Sequence, residues 1–149
     1  MKNIIAASLI VSAGIAAAGT NGVQITEVYA GISGSDGTED WFEITYFGPG
    51  TFDTGSLFYD DESADPTVNA PLTSFILSSG ESAVFLQGGD DNAIADFLAI
   101  WGNVANVGIA DGGGGLSQNG DSVFLFDGHL AGATVIDTVV IDGSHATRG

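Results

Sequence analysis

From Val23 onward, short runs rich in β-branched and aromatic residues alternate with clusters of Gly, Asp, Ser and Asn, and that punctuation is the mark of an all-β domain. About eight strands are predicted, beginning with 23–29 and, after the turn-rich stretch 31–37, continuing with 41–47. In the second run Phe42, Ile44 and Tyr46 share one face while Glu43 and Thr45 share the other, so one side can pack on a core. Further strands are expected at 57–59, 72–77 and 83–87, with Ser79-Gly80 turning between the last two, and then at 122–127 and 134–142. The period changes once. Ile94, Phe97, Leu98 and Trp101 stand three and four residues apart, which predicts one short amphipathic helix over 93–101, with Asp91 or Asn92 as N-cap and Gly102 as its stop. Phe42, Ile44, Val84, Leu86, Trp101, Val123, Leu125 and Val139 are expected to meet in one core.

The chain of 149 residues is the length of one domain plus a targeting segment. Residues 1–18 have the parts of a secretory signal peptide: Lys2, an apolar stretch from Ile4, and the small-residue triplet Ala16-Ala17-Ala18 before Gly19. The expectation is a secreted or cell-surface protein that starts near Gly19, has no membrane span in its mature part, and carries its domain over 23–142. The tail 143–149 has no sorting signal, and the natural chain is expected to be able to continue past it.

All 19 acidic residues follow Ala18 and the one basic Lys or Arg beyond it is Arg148, leaving the mature side chains at net −18. Such a field repels phosphate backbones, so direct nucleic-acid binding is not expected; calcium or cationic partners suit it better. There is no cysteine, and stability must come from burial. With 44% hydrophobic residues there is enough apolar surface for one core.

The sharpest local candidate is the loop holding Asp60, Asp61, Glu62 and Asp65, four carboxylates of the kind that supply calcium with oxygen ligands. The spacing is not that of an EF-hand, and the alternative is a solvated acidic loop. Asn119-Gly120 lies between apolar stretches and predicts a type I′ hairpin turn, with Asp121 bonding its amides. The run Gly112 to Gly115 lacks the lysine and hydroxyl of a phosphate-binding loop and reads as a connection. His129 and His145 fall in predicted loops, and Ser144 beside His145 does not make a hydrolase, because adjacent residues rarely meet in the required geometry and no nucleophile elbow is present. Trp41 and Trp101 are expected in the core, so no aromatic cleft with placed acids is foreseen for glycoside cleavage.

Five segments, in order, resemble the lamin-tail domain family. Ile25-Thr26-Glu27-Val28 is similar to its opening strand and Asp40-Trp41-Phe42-Glu43-Ile44 to its second. Residues 75–84, Phe-Ile-Leu-Ser-Ser-Gly-Glu-Ser-Ala-Val, resemble its L-x-P-G-E turn, with Ser79 in place of the proline. Residues 116–127, Leu-Ser-Gln-Asn-Gly-Asp-Ser-Val-Phe-Leu-Phe-Asp, resemble L-x-N-x-G-D-x-V-x-L-x-D, and Val135 to Val139 the closing strand. The resemblance implies an immunoglobulin-like β-sandwich and a non-catalytic extracellular interaction or scaffold module that binds a surface protein or polymer. Two alternatives stay open: an accessory domain of a secreted nuclease or phosphoesterase, and a self-assembling surface protein joined through edge strands.

Overall fold

The computed structural model describes residues 22–31, 37–89, 91–110, 115–142 and 145–148. The signal segment lies outside them, as do Asp90, Gly112 to Gly114 and Ser144. In chain order the elements are β1 (Val23–Tyr29), β2 (Trp41–Tyr46), β3 (Thr51–Asp53), β4 (Phe58–Asp60), β5 (Ile76–Ser78), β6 (Ser82–Gln87), α1 (Asp91–Trp101), β7 (Val107–Ala110), β8 (Asp121–Phe126), β9 (Val135–Asp142) and β10 (His145–Arg148). They form an all-β sandwich with one short helix. One sheet runs β1-β2-β6-β7, the other β10-β9-β8-β4, and β3 pairs with β5 in a small ribbon.

Period-two alternation sorts the side chains. Phe42, Ile44 and Tyr46 of β2 face between the sheets, where they meet Leu57, Tyr59, Val123, Leu125 and Val139. β6 sits centrally and is buried on both faces. Its Ala83 and Phe85 enter that same core, while Val84 and Leu86 point outward beneath α1 and pack with Trp41 and Phe97. The expected single core is therefore two: Val84, Leu86 and Trp101 belong to the outer one, because a strand covered by a helix on one side and a sheet on the other sends alternate residues to different partners.

α1 starts two residues before the expected Ala93, so Asp91 and Asn92 lie inside it. It ends where Gly102, at φ +90, donates its amide to the Leu98 carbonyl. The helix carries the chain from β6 to the parallel strand β7, a connection that no tight turn can make.

Three further expectations change. Asn119-Gly120 is not a hairpin turn: β7 and β8 flank it in different sheets, and Asn119 lacks the positive φ that a type I′ turn needs. Of the expected strand 72–77 only 76 and 77 lie in one, β5, because the segment before them bonds across two sheet edges instead. The Leu72 amide donates to the Leu57 carbonyl at 2.9 Å, Pro71 bridges Phe58, and the Thr73 hydroxyl oxygen accepts from the Ile109 amide at 2.9 Å. Finally, residues 145–148 of the tail add an outer strand, β10, to β9.

Segment 71–75 thus covers the free edges of both β4 and β7. It approaches β7 so closely that a Cβ on Gly108 would stand 2.6 Å from the Thr73 Cβ and 2.9 Å from the Phe75 ring. At the opposite edge, β1 bulges between Ile25 and Glu27, and the Ile25 amide donates to the Asp137 carboxylate of β9 at 2.8 Å.

Candidate functional site

The acidic loop follows β4. Asp60 is buried, and its carboxylate accepts from the Ser63 hydroxyl at 2.6 Å, the Asp65 amide at 2.5 Å and the Asn69 side-chain amide at 3.1 Å. Asn69 also donates to the Tyr59 carbonyl, which fastens the far end of the loop to β4. Asp61 accepts from the Ser63 amide at 3.3 Å. Asp65 accepts from the Thr67 hydroxyl and amide, and those two bonds, the hydroxyl's first, hold its carboxyl below the usual aspartate range. Glu62 is exposed. The three aspartates expected to share an ion with Glu62 are therefore engaged separately, each by donors of its own loop. Among the described residues, no three His, Cys, Asp or Glu side chains come together as metal ligands. A calcium ion in this loop would have to replace several of these bonds.

A second arrangement lies on the outer face of the first sheet. Glu27 and Glu43 are direct cross-strand partners there. Like charges directly opposite one another are unfavourable. Glu27 is held above the usual glutamate range, by burial first and by Glu43 second. A hydroxyl ladder continues from the pair across the sheet: Thr26 to the Glu43 carboxylate at 2.6 Å, Thr26 to Thr45 at 2.9 Å, and Thr45 to Ser82 at 2.8 Å.

One step along the same face, Tyr29 and Trp41 are also cross-strand partners, and their rings stack with centroids 5.7 Å apart. Trp101 of α1 meets both edge-on, at 5.2 and 5.4 Å, and Phe97 closes the group against Trp41. Trp41 is buried as expected, and Trp101 is half-buried. The glutamate pair thus lies beside a rigid aromatic wall. Apart from Lys2, the chain's one Lys or Arg is Arg148, on β10 of the other sheet, so among the described residues no basic side chain of the first sheet can neutralise the pair.

The glutamate pair escaped the sequence reading because it depends on the β1–β2 register. The bulge shifts Glu27, and not Thr26, opposite Glu43. The one signal was Glu43 on the face of β2 opposite Phe42 and Ile44.

Two other residues find structural roles. Asp121 accepts from the Ser117 amide at 2.7 Å, the turn-bonding role expected of it even though the turn type differs. Asp40 joins three loops, accepting from the Gly31 amide and the Leu116 amide at 2.6 Å each. His129 packs its ring on Phe58 at 5.1 Å, and the side chains of β10, including His145, lie outside the description. Compared with protein-family models, curated proteins and solved structures, the chain matches none.

Proposed function

We propose that this chain is a non-catalytic extracellular interaction or scaffold module of the lamin-tail type, and that the outer face of its first sheet takes up a cationic group of its partner. The observation that carries the reading is the half-buried Glu27–Glu43 pair beside the Tyr29–Trp41–Trp101 wall. Burial, and then Glu43, raise the Glu27 carboxyl above its usual range, and the first sheet has no basic side chain among the described residues, in a chain of net charge −17. A lysine or arginine side chain of a partner would relieve the repulsion and lie against aromatic rings, an interaction worth about 0.5–2 kcal/mol. The overall charge would steer such a partner inward, and added salt would slow its approach. The lamin-tail reading is supported by where its motif segments fall: residues 25–28 in β1, 41–44 in β2, 122–126 in β8 and 135–139 in β9.

Three covered sheet edges favour a module over a self-assembling protein. β4 and β7 are closed by segment 71–75, and β1 is closed by Asp137. The test is binding of a lysine-rich peptide to the immobilised protein at low salt. Glu27→Gln with Glu43→Gln is expected to weaken it by about tenfold or more, beyond the loss caused by removing two charges from an exposed site such as Glu62 with Asp96. Equal losses from the two double variants would leave only general electrostatics and would overturn the assignment of the face.

A further inference from the structure

The Asn119-Gly120 pair makes no hairpin turn, and the glutamate face on the first sheet does not use it. Residues 117–120 are exposed and join the buried Leu116 to the head of β8. Both ends of this stretch are anchored. The Leu116 amide donates to the Asp40 carboxylate at 2.6 Å, and Asp121 accepts from the Ser117 amide at 2.7 Å. Between the anchors, the Asn119 backbone amide donates to the Ser117 hydroxyl at 3.2 Å, while no hydrogen bond holds the Asn119 side-chain amide among the described residues.

The next backbone nitrogen is that of Gly120. It donates to the Ser117 carbonyl at 3.4 Å, longer than the usual range of about 2.7–3.2 Å. A Cβ built on Gly120 would meet nothing within 4 Å, and the residue sits at φ +143, so neither a neighbour nor a side chain of its own restrains this peptide unit.

A carboxamide without partners beside an unhindered, weakly held amide is the reactive arrangement for deamidation, the lability that makes asparagine rarer in heat-adapted proteins. The Gly120 nitrogen, on losing its proton, attacks Asn119 Cγ and a C–N bond forms. The Cγ–Nδ2 bond breaks, and ammonia leaves with the proton. The five-membered succinimide then takes up water at either carbonyl and opens to aspartate or isoaspartate at position 119. Water is the one co-reactant.

The four other asparagines among the described residues each lack part of this arrangement. Asn69 is buried, and its Nδ2 donates to the Tyr59 carbonyl and to Asp60. Asn106 has its Nδ2 on the Ser82 carbonyl at 3.1 Å and precedes the β-branched Val107 of β7. Asn103 precedes Val104, also β-branched and half-buried, whose amide donates to the Gly102 carbonyl at 3.0 Å. Asn92 lies in the first turn of α1, where the helical backbone fixes the amide that follows. Asn21 also precedes a glycine but lies outside the described residues.

We propose that Asn119, among the described asparagines, is the site at which the folded protein deamidates spontaneously, through a succinimide closed by the Gly120 nitrogen. The product places a new carboxylate two positions before Asp121, in a chain already at −17. Isoaspartate also adds one backbone atom to the turn that the Ser117–Asp121 bond closes. The change is irreversible, and because attack needs the deprotonated amide, it quickens as pH rises.

The experiment is incubation of the full chain at neutral and at mildly alkaline pH, folded and in urea, followed over time by peptide mapping with mass spectrometry. In the folded protein the Asn119 peptide should deamidate at least about tenfold faster than those holding Asn69, Asn92, Asn103 or Asn106, and faster still at the higher pH. Its folded rate should lie within about tenfold of its rate in urea. Asn119→Gln, at an exposed position, should remove this acidic form, because the longer side chain closes its ring far more slowly. Asn119 staying intact in the folded protein while reacting in urea would show that the turn holds it out of reach of Gly120, and overturns the proposal. So does an equal folded rate at any of the other four.

Discussion

Replacing Asp60 by Asn tests whether the acidic loop is built around one buried carboxylate. Asp60 receives three donors, two on Oδ2 and one on Oδ1. Asparagine has the same shape but only one acceptor atom. If its oxygen takes the Oδ2 place, its NH₂ group faces the Asn69 NH₂, donor against donor. One bond is then lost outright and two lose their charge assistance. Hydrogen bonds to charged groups contribute about 1.5–3 kcal/mol each, so a total loss of about 2–4 kcal/mol is expected. At this chain length that corresponds to roughly 5–15 °C in Tm. The assay is urea unfolding followed by tryptophan fluorescence, with the midpoint shifted and the slope unchanged. Asp61→Asn, at a half-exposed position with one long bond, is expected to cost under about 1 kcal/mol. If Asp60→Asn costs less than about 0.5 kcal/mol, the range of ordinary surface changes, the carboxylate does not organise this loop.

Leu125→Ala, at a position with no exposure, should cost about 2–5 kcal/mol by the same urea assay, and a near-neutral result would remove Leu125 from the core. Glu27→Gln should stabilise the protein at neutral pH. The folded pKa of Glu27 is raised, so the native state gains from protonation below the unfolded glutamate value, and that gain is lost as pH rises through the folded value. The advantage of the variant over the parent should therefore shrink to nothing as pH falls below about 4; a gain independent of pH would contradict the repulsion argument. Gly108→Ala should destabilise by about 1–3 kcal/mol, because the added methyl meets the Thr73 Cβ at 2.6 Å and Thr73 cannot move without releasing Ile109. A neutral outcome would show that segment 71–75 is loosely held. Intact-mass measurement of secreted protein should give a start near Gly19, and retained Lys2 would refute the cleavage expectation.

The elements legible from sequence were those whose side-chain period is long enough to count. β1 was read with its observed ends, β2 within one residue, and α1 within one turn, because each alternates or repeats over six residues or more. β3 and β7 were missed because they are three and four residues long, and β7 contains a glycine whose purpose, the close approach of Thr73, is a tertiary fact. The split of the core into two could not be seen either. Val84 and Phe85 are equally apolar in sequence, and only the docking of α1 assigns them to opposite sides of β6. For the sites, composition pointed to the densest run of acids, 60–65, yet local hydrogen bonds occupy those aspartates. The less conspicuous Glu27 and Glu43 stand sixteen positions apart and meet only through a bulged register.

The bond from the Ile25 amide to the Asp137 carboxylate spans 112 residues of chain. β1 is the first strand made, yet its outer edge makes a bond to a residue of β9. Until that residue has emerged, the β1 edge is an exposed template, and the most local pairing it has, with β2, leaves one side open. Closing so long a loop is entropically expensive before any contact repays it, and sheets dominated by distant pairings fold on the millisecond-to-second scale. The chain should therefore complete its fold only after its last third is available. A nascent fragment ending before Asp137 should be open to proteolysis along β1 while the crossover from β6 to β7, whose strands are neighbours in sequence, can already have formed.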